Sequence, residues 1–189
     1  MSIHSVDGMD ASTNRESPDS LTLYTIGHST HSIEEFKTIL QKYAIEKIVD
    51  LRTVPRSRHN PQFNQEELKM SLQASEISYI HMPDLGGLRH PKKDSPNKGW
   101  RNASFRGFAD YMQTKQFNDG LMKLIQLARE ERVALMCAEA LPWRCHRSLI
   151  SDALEVRGIR VVHIMSMTQS RDHILTPWIK IDDTKIIYP

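Results

Sequence analysis

Residues 137–148 read Cys-Ala-Glu-Ala-Leu-Pro-Trp-Arg-Cys-His-Arg-Ser, the densest run of reactive side chains in the 189-residue chain. An apolar stretch ends at Cys137, and a short loop then delivers Cys145, His146 and Arg147 to what reads as the first turn of a helix. The first turn carries unsatisfied N–H groups and a partial positive charge. A thiol placed there, beside a histidine and two arginines, is expected to be partly thiolate, and the same geometry suits an anion. In the first of three readings, Cys145 attacks or binds an electrophilic or anionic substrate, Glu139 is the general acid/base, and Arg147 and Arg52 hold negative charge. In the second, Cys137, Glu139, Cys145 and His146 bind a metal with a distant His28 or His81. In the third, Cys137 is a packed core thiol and His146 a cap.

Spacing removes several alternatives. Cysteine phosphatases and sulfurtransferases close a loop from Cys to Arg over five residues, whereas six separate Cys137 from Arg144 and one separates Cys145 from Arg147. That loop also lacks glycine. No Cys-x-x-Cys pair and no Gly-Lys-Ser phosphate loop is present, so no motif specifies a cofactor.

These residues need a scaffold, and the chain alternates between two patterns that supply one. β-prone runs at 23–26, 47–51, 78–81, 132–138 and 160–164 are separated by segments with helical apolar spacing. Ser32 is expected to cap the first helix, with Glu35 as its capping-box partner. Asn64 is expected to cap the second. Residues 105–127 read as two helices broken near Phe117-Asn118, and residues 145–156 as a helix ended by Gly158. Residues 178–181 and 185–188 flank Asp182-Asp183-Thr184 as a small hairpin. The expected fold is therefore α/β: a single domain over residues 21–189, with a mainly parallel five-stranded sheet, helices on both faces and a C-terminal hairpin. Residues 1–20, rich in Ser, Asp and Asn, read as a disordered tail.

In open α/β sheets ligands bind beyond the carboxyl ends of the strands. In chain order those ends carry His28 with Ser29 and Thr30; Arg52, Arg56 and Arg58; His81, Asp84, Gly86 and Gly87; Glu139 and the Cys-His-Arg block; and His163. His28 and His81 are expected to position groups or relay protons, and Arg52, Arg56, Arg58 and Arg147 to bind substrate.

Overall charge is nearly balanced, with 25 Lys+Arg against 23 Asp+Glu. The basic excess is local: residues 52–106 hold ten basic and five acidic residues, interleaved with His59, Phe63, His90, Trp100 and Phe105. Such interleaving suits a phosphate backbone with stacked bases. Residues 86–104 show little periodicity and read as a lid, a nucleic-acid contact or plain surface. No apolar run approaches the about 20 residues of a membrane span, and two cysteines make no disulfide scaffold. The setting expected is reducing and cytoplasmic.

The order of motifs resembles the domain-of-unknown-function 488 family. The resemblance rests on Thr25-Ile26-Gly27-His28-Ser29, Val49-Asp50-Leu51-Arg52, Pro55-Arg56-Ser57-Arg58, Leu85-Gly86-Gly87, the run from Phe105 through Met112, Cys137-Ala138-Glu139 with Cys145-His146-Arg147, and Tyr188-Pro189. Leu141 stands where the family pattern leads one to expect an acidic residue. The resemblance implies a compact α/β domain and adds little about activity. The function expected is an enzyme acting on a phosphate-bearing or otherwise anionic substrate, a nucleotide or nucleic acid included. A metal-binding protein and a nucleic-acid-binding module without catalysis are the alternatives.

Overall fold

The computed structural model describes residues 21–189; the tail expected over residues 1–20 lies outside them. In chain order the strands and helices are β1 Thr22–Gly27, α1 Ile33–Lys42, β2 Lys47–Asp50, α2 Gln65–Gln73, β3 Ser78–His81, α3 Ala103–Tyr111, α4 Lys115–Glu130, β4 Val133–Cys137, α5 Arg147–Glu155, β5 Arg160–Ile164, β6 Ser170–Asp172, β7 Lys180–Asp182 and β8 Lys185–Ile187. The main sheet has six strands in the order β3-β2-β4-β1-β5-β6. All its pairings are parallel except β5 with β6. The fold class is thus as expected, with one strand more. β6 is Ser-Arg-Asp, exposed throughout, and offers no apolar signal. As an edge strand it pairs on one side only and is tied to β5 by Arg160 Nε donating to Asp172 across 2.8 Å.

Both faces of the sheet are covered. In β4 the residues alternate between layers: Val133 and Leu135 pack with Phe108, Leu121, Leu124 and Leu149 from α3, α4 and α5. Ala134 and Met136 pack with Phe36, Leu40, Leu68 and Leu72 from α1 and α2. A strand buried on both faces has no polar side, which is why its sequence is apolar throughout. β7 and β8 form the separate hairpin, antiparallel, with Asp183 in the left-handed region at its turn.

The helix ends correct three local expectations. Ser32 Oγ accepts the Glu35 N–H as expected, but the Glu35 carboxylate meets His31 Nδ1 at 2.9 Å rather than completing a capping box. Asn64 precedes α2 without capping it; its Oδ1 accepts the Ser57 N–H instead. The break between α3 and α4 falls at Thr114, whose hydroxyl accepts the Phe117 N–H, so Phe117 lies inside the first turn of α4. Gly158 comes after α5 at φ 75°, the left-handed conformation that favours glycine. Among the described residues no helix is long and apolar enough to cross a membrane.

Candidate functional site

β2, β4 and β1 lie side by side in the centre of the sheet, so their carboxyl ends meet. Gly27 pairs with Cys137 and Asp50 with Met136. Beyond these pairs the β1–β4 ladder continues into the loops: His28 N–H donates to Cys137 O and Ser29 N–H to Ala138 O. The loop after β4 crosses so close above Gly27 that a Cβ there would collide with the Glu139 carbonyl. The loop ends in a short 3₁₀ turn, Pro142–Arg144, whose last bond, Cys145 N–H to Pro142 O, sets Cys145 just ahead of α5.

This path returns Cys145 to the strand it left. The sulfurs of Cys137 and Cys145 lie 2.8 Å apart, both reduced, with the side chains 4% and 6% exposed. The Arg147 backbone N–H points at Cys145 Sγ from 3.5 Å, and His146 Nδ1 lies 3.5 Å away. The hydrogen bond from Cys137, then His146 and Arg147, hold the Cys145 thiol well below its ordinary range, although burial opposes them. Burial, and donation to Cys145, push Cys137 up. The two thiols are thus pushed in opposite directions, Cys145 down and Cys137 up.

Arg147 is 1% exposed and makes no salt bridge among the described residues. Its guanidinium donates to the Glu139 and Ala140 carbonyls and lies 3.5 Å from Thr25 Oγ1. Expected to bind substrate, it instead holds the 139–140 loop and is not among the residues lining the cavity beside the two sulfurs. Burying a guanidinium without a carboxylate is costly unless it is hydrogen-bonded, and the two loop carbonyls supply those bonds.

Arg52 is the second buried arginine, and its charge is matched. Its Nε and Nη2 donate to the two Asp50 oxygens at 2.9 and 2.6 Å, and Nη2 also donates to Phe63 O. Tyr79 OH donates to the same carboxylate, and burial first, then Asp50, raises the phenol's pKa. His81 Nε2 donates to Arg52 O at 2.7 Å. His28 stacks on Phe63 and donates from Nδ1 to Ser29 O, which leaves its Nε2 lone pair facing Arg52 Nη1 at 3.4 Å. Burial lowers its pKa to about 4, so the ring is neutral. His28 and His81 therefore buttress Arg52 from behind.

The cavity above the sulfurs has a volume of about 450 Å³. Arg52, Arg56 and Arg144 supply its positive charge, and Glu139 is the one carboxylate among its lining residues. His146 closes one side, packed against Phe108 and so near Gly87 that any side chain there would strike its ring. Arg58 is exposed and outside this lining. Of the expected site residues, Glu139, Cys145, Arg52 and Arg56 share the cavity; His28, His81 and Arg147 stand behind its wall. Arg144 also belongs to it, although it is not among the residues expected to bind substrate, and so does Cys137, expected either as a core thiol or as a metal ligand. No group of three His, Cys, Asp or Glu able to hold a metal ion occurs among the described residues, so the metal-binding alternative lacks its ligand set.

The 86–104 segment is pinned down. Asp110 accepts from Lys92 N–H, Ser95 Oγ and Asn97 Nδ2, Asn97 accepts the Tyr188 N–H, and Trp100 packs against Phe105, Trp178 and Tyr188. A second chain of polar contacts runs behind α5. Asp152 accepts from Tyr188 OH and Thr176 and meets His173 Nε2; His173 Nδ1 meets His163 Nε2, and His163 Nδ1 meets Thr25 Oγ1, beside Arg147.

Residues 32–154 match the family described as Domain of unknown function DUF488, and the chain belongs to that family. The match covers the Cys-Ala-Glu and Cys-His-Arg blocks; the β1 motif and Tyr188-Pro189 fall outside it. No curated protein and no solved structure matches the chain.

Proposed function

We propose that this protein is a cytoplasmic enzyme whose Cys145 thiolate acts as nucleophile on a phosphate-bearing or otherwise anionic small molecule. The observation that carries the reading is the setting of Cys145 at the floor of the cavity. Its sulfur lies 2.8 Å from the Cys137 sulfur and faces the Arg147 N–H, and the buried guanidinium of the same arginine has no carboxylate partner among the described residues. Arg56 and Arg144 would bind the anionic part of the substrate. Arg52, held by Asp50, would orient it with less net charge. Glu139 is the group at the cavity suited to move a proton to or from the reacting atoms. The cavity's volume lies in the range of small-ligand sites, which favours a nucleotide-sized anion over a long nucleic acid.

Protection of Cys145 from iodoacetamide tests the reading. Inorganic phosphate, a nucleoside monophosphate and a single-stranded oligonucleotide are each added at millimolar concentration. The expected result is slower labelling with phosphate or the nucleotide, and loss of that protection in Arg56→Ala/Arg144→Ala. Protection by the oligonucleotide alone moves the assignment to nucleic acid. Labelling unaffected by all three contradicts the anion site.

A further inference from the structure

Cys137 and Cys145 are eight positions apart in sequence, one ending β4 and the other preceding α5, and their sulfurs meet at 2.8 Å. Both line the same cavity. A disulfide needs sulfurs at about 2.05 Å, so the pair closes by about 0.8 Å. The two thiols also differ in setting: Cys145 has the Arg147 N–H and His146 beside it, while Cys137 ends a core strand with its sulfur 3.8 Å from the Glu139 carbonyl.

We infer that Cys137 and Cys145 form a dithiol–disulfide couple that reduces hydroperoxides, with Cys145 as the attacking thiol and Cys137 as the resolving thiol. The inference rests on the same Cys145 thiolate as the proposed function and adds a second substrate class to the site. Side chains only 4% and 6% exposed admit a small oxidant from the cavity and exclude the disulfide of another protein. In the first step the Cys145 sulfur attacks one peroxide oxygen. An S–O bond forms, the O–O bond breaks, and the second oxygen leaves as hydroxide, which takes up a solvent proton. In the second step the Cys137 sulfur attacks Cys145. The S–S bond forms, the S–O bond breaks, and the hydroxyl leaves with the Cys137 proton as water. The two sulfurs give up two electrons and hydrogen peroxide becomes two waters. Two equivalents of a small thiol, joined in turn as their own disulfide, restore both cysteines. While oxidised, the site has no thiolate, so peroxide silences the activity proposed above.

The test treats the full chain with one equivalent of hydrogen peroxide and maps peptides without reduction, alongside Cys137→Ser and Cys145→Ser. The couple predicts a Cys137–Cys145 linkage reversed by dithiothreitol. In Cys137→Ser the reaction stops at a Cys145 sulfenic acid trapped by dimedone, and Cys145→Ser consumes peroxide at least about tenfold more slowly. Sulfinic acid on Cys145 with Cys137 still free overturns the inference, as does wild-type peroxide consumption by Cys145→Ser. Iodoacetamide labelling of the untreated protein reads the thiolate independently. Labelling at low pH without a linkage rejects the couple and leaves the nucleophile; absence of low-pH labelling rejects the thiolate on which both rest.

Discussion

The backbone N–H of Arg147 faces the sulfur of Cys145 across 3.5 Å, and the guanidinium of the same residue, buried and without a carboxylate partner among the described residues, lowers that thiol's pKa further. One residue thus serves the thiolate through both its main chain and its side chain. Replacing Arg147 by Met keeps the amide and removes the charge. The pH at which half of Cys145 is ionised, read from alkylation rates, is expected to rise in Arg147→Met. An unchanged profile would show that the guanidinium serves only the 139–140 loop.

The Asp50–Arg52 pair is buried, and every oxygen of the carboxylate is engaged. Removing one member of such a pair strands the other charge. Asp50→Asn is expected to cost about 3–5 kcal/mol in urea unfolding. Asp50→Leu/Arg52→Leu together should cost less than Asp50→Asn alone, because no uncompensated charge remains. A double variant weaker than the single would contradict the account of this pair.

Gly27 lies under the Glu139 carbonyl, a backbone atom with little freedom to retreat. Gly27→Ala is therefore expected to destabilise the protein toward the upper end of about 1–3 kcal/mol. By lifting the loop that Arg147 holds, it should also slow Cys145 alkylation at pH 7. Full reactivity in a folded Gly27→Ala protein would dissociate the loop from the thiol.

Two buried histidines set the acid side of the stability curve. Burial lowers His28 to about 4, and burial, followed by His173 and Arg147, lowers His163 to about 3. The unfolded chain protonates both near their ordinary value of about 6.5 while the folded chain does not, so the unfolded state binds more protons in between. Their contribution is complete above about pH 6.5. It is lost as pH falls, through about 4 for His28 and about 3 for His163, with a slope of up to about 1.4 kcal/mol per pH unit for each. Urea midpoints between pH 7 and 4 should fall, and His28→Gln should flatten the slope. A flat profile in the wild-type protein would show that these rings ionise as freely when folded.

Much of the fold was legible because β1 to β5 carry apolar residues on both faces, and Ser32 and Gly158 mark helix ends by chemistry that acts locally. β6 was not legible, since Ser-Arg-Asp is held by pairing with β5 and by a surface ion pair rather than by burial. Asn118 misled because amide side chains favour turns, yet Thr114 had already capped the helix upstream. At the candidate site, the position of Cys145 and Glu139 past the carboxyl end of a strand agrees with their place at the cavity. The same criterion put Arg52, His28 and His81 on that rim, but it could not tell a side chain facing the cavity from one behind its wall; that depends on Asp50, Phe63 and Ser29 packing around them. Cys137 read as a core thiol from its apolar neighbours, and it is buried; only the return of the chain at Cys145 reveals its partner.

The central claim is that Cys145 is a thiolate near neutral pH. The direct measurement is the rate of iodoacetamide labelling at Cys145, resolved by peptide mass from pH 5 to 10, with Cys137→Ala in parallel. The account predicts a half-maximal rate well below the ordinary thiol value of about 8.5 in the wild type and a rise toward it when the Cys137 thiol is removed. Labelling of wild-type Cys145 only above pH 8.5, with no change in Cys137→Ala, would contradict it.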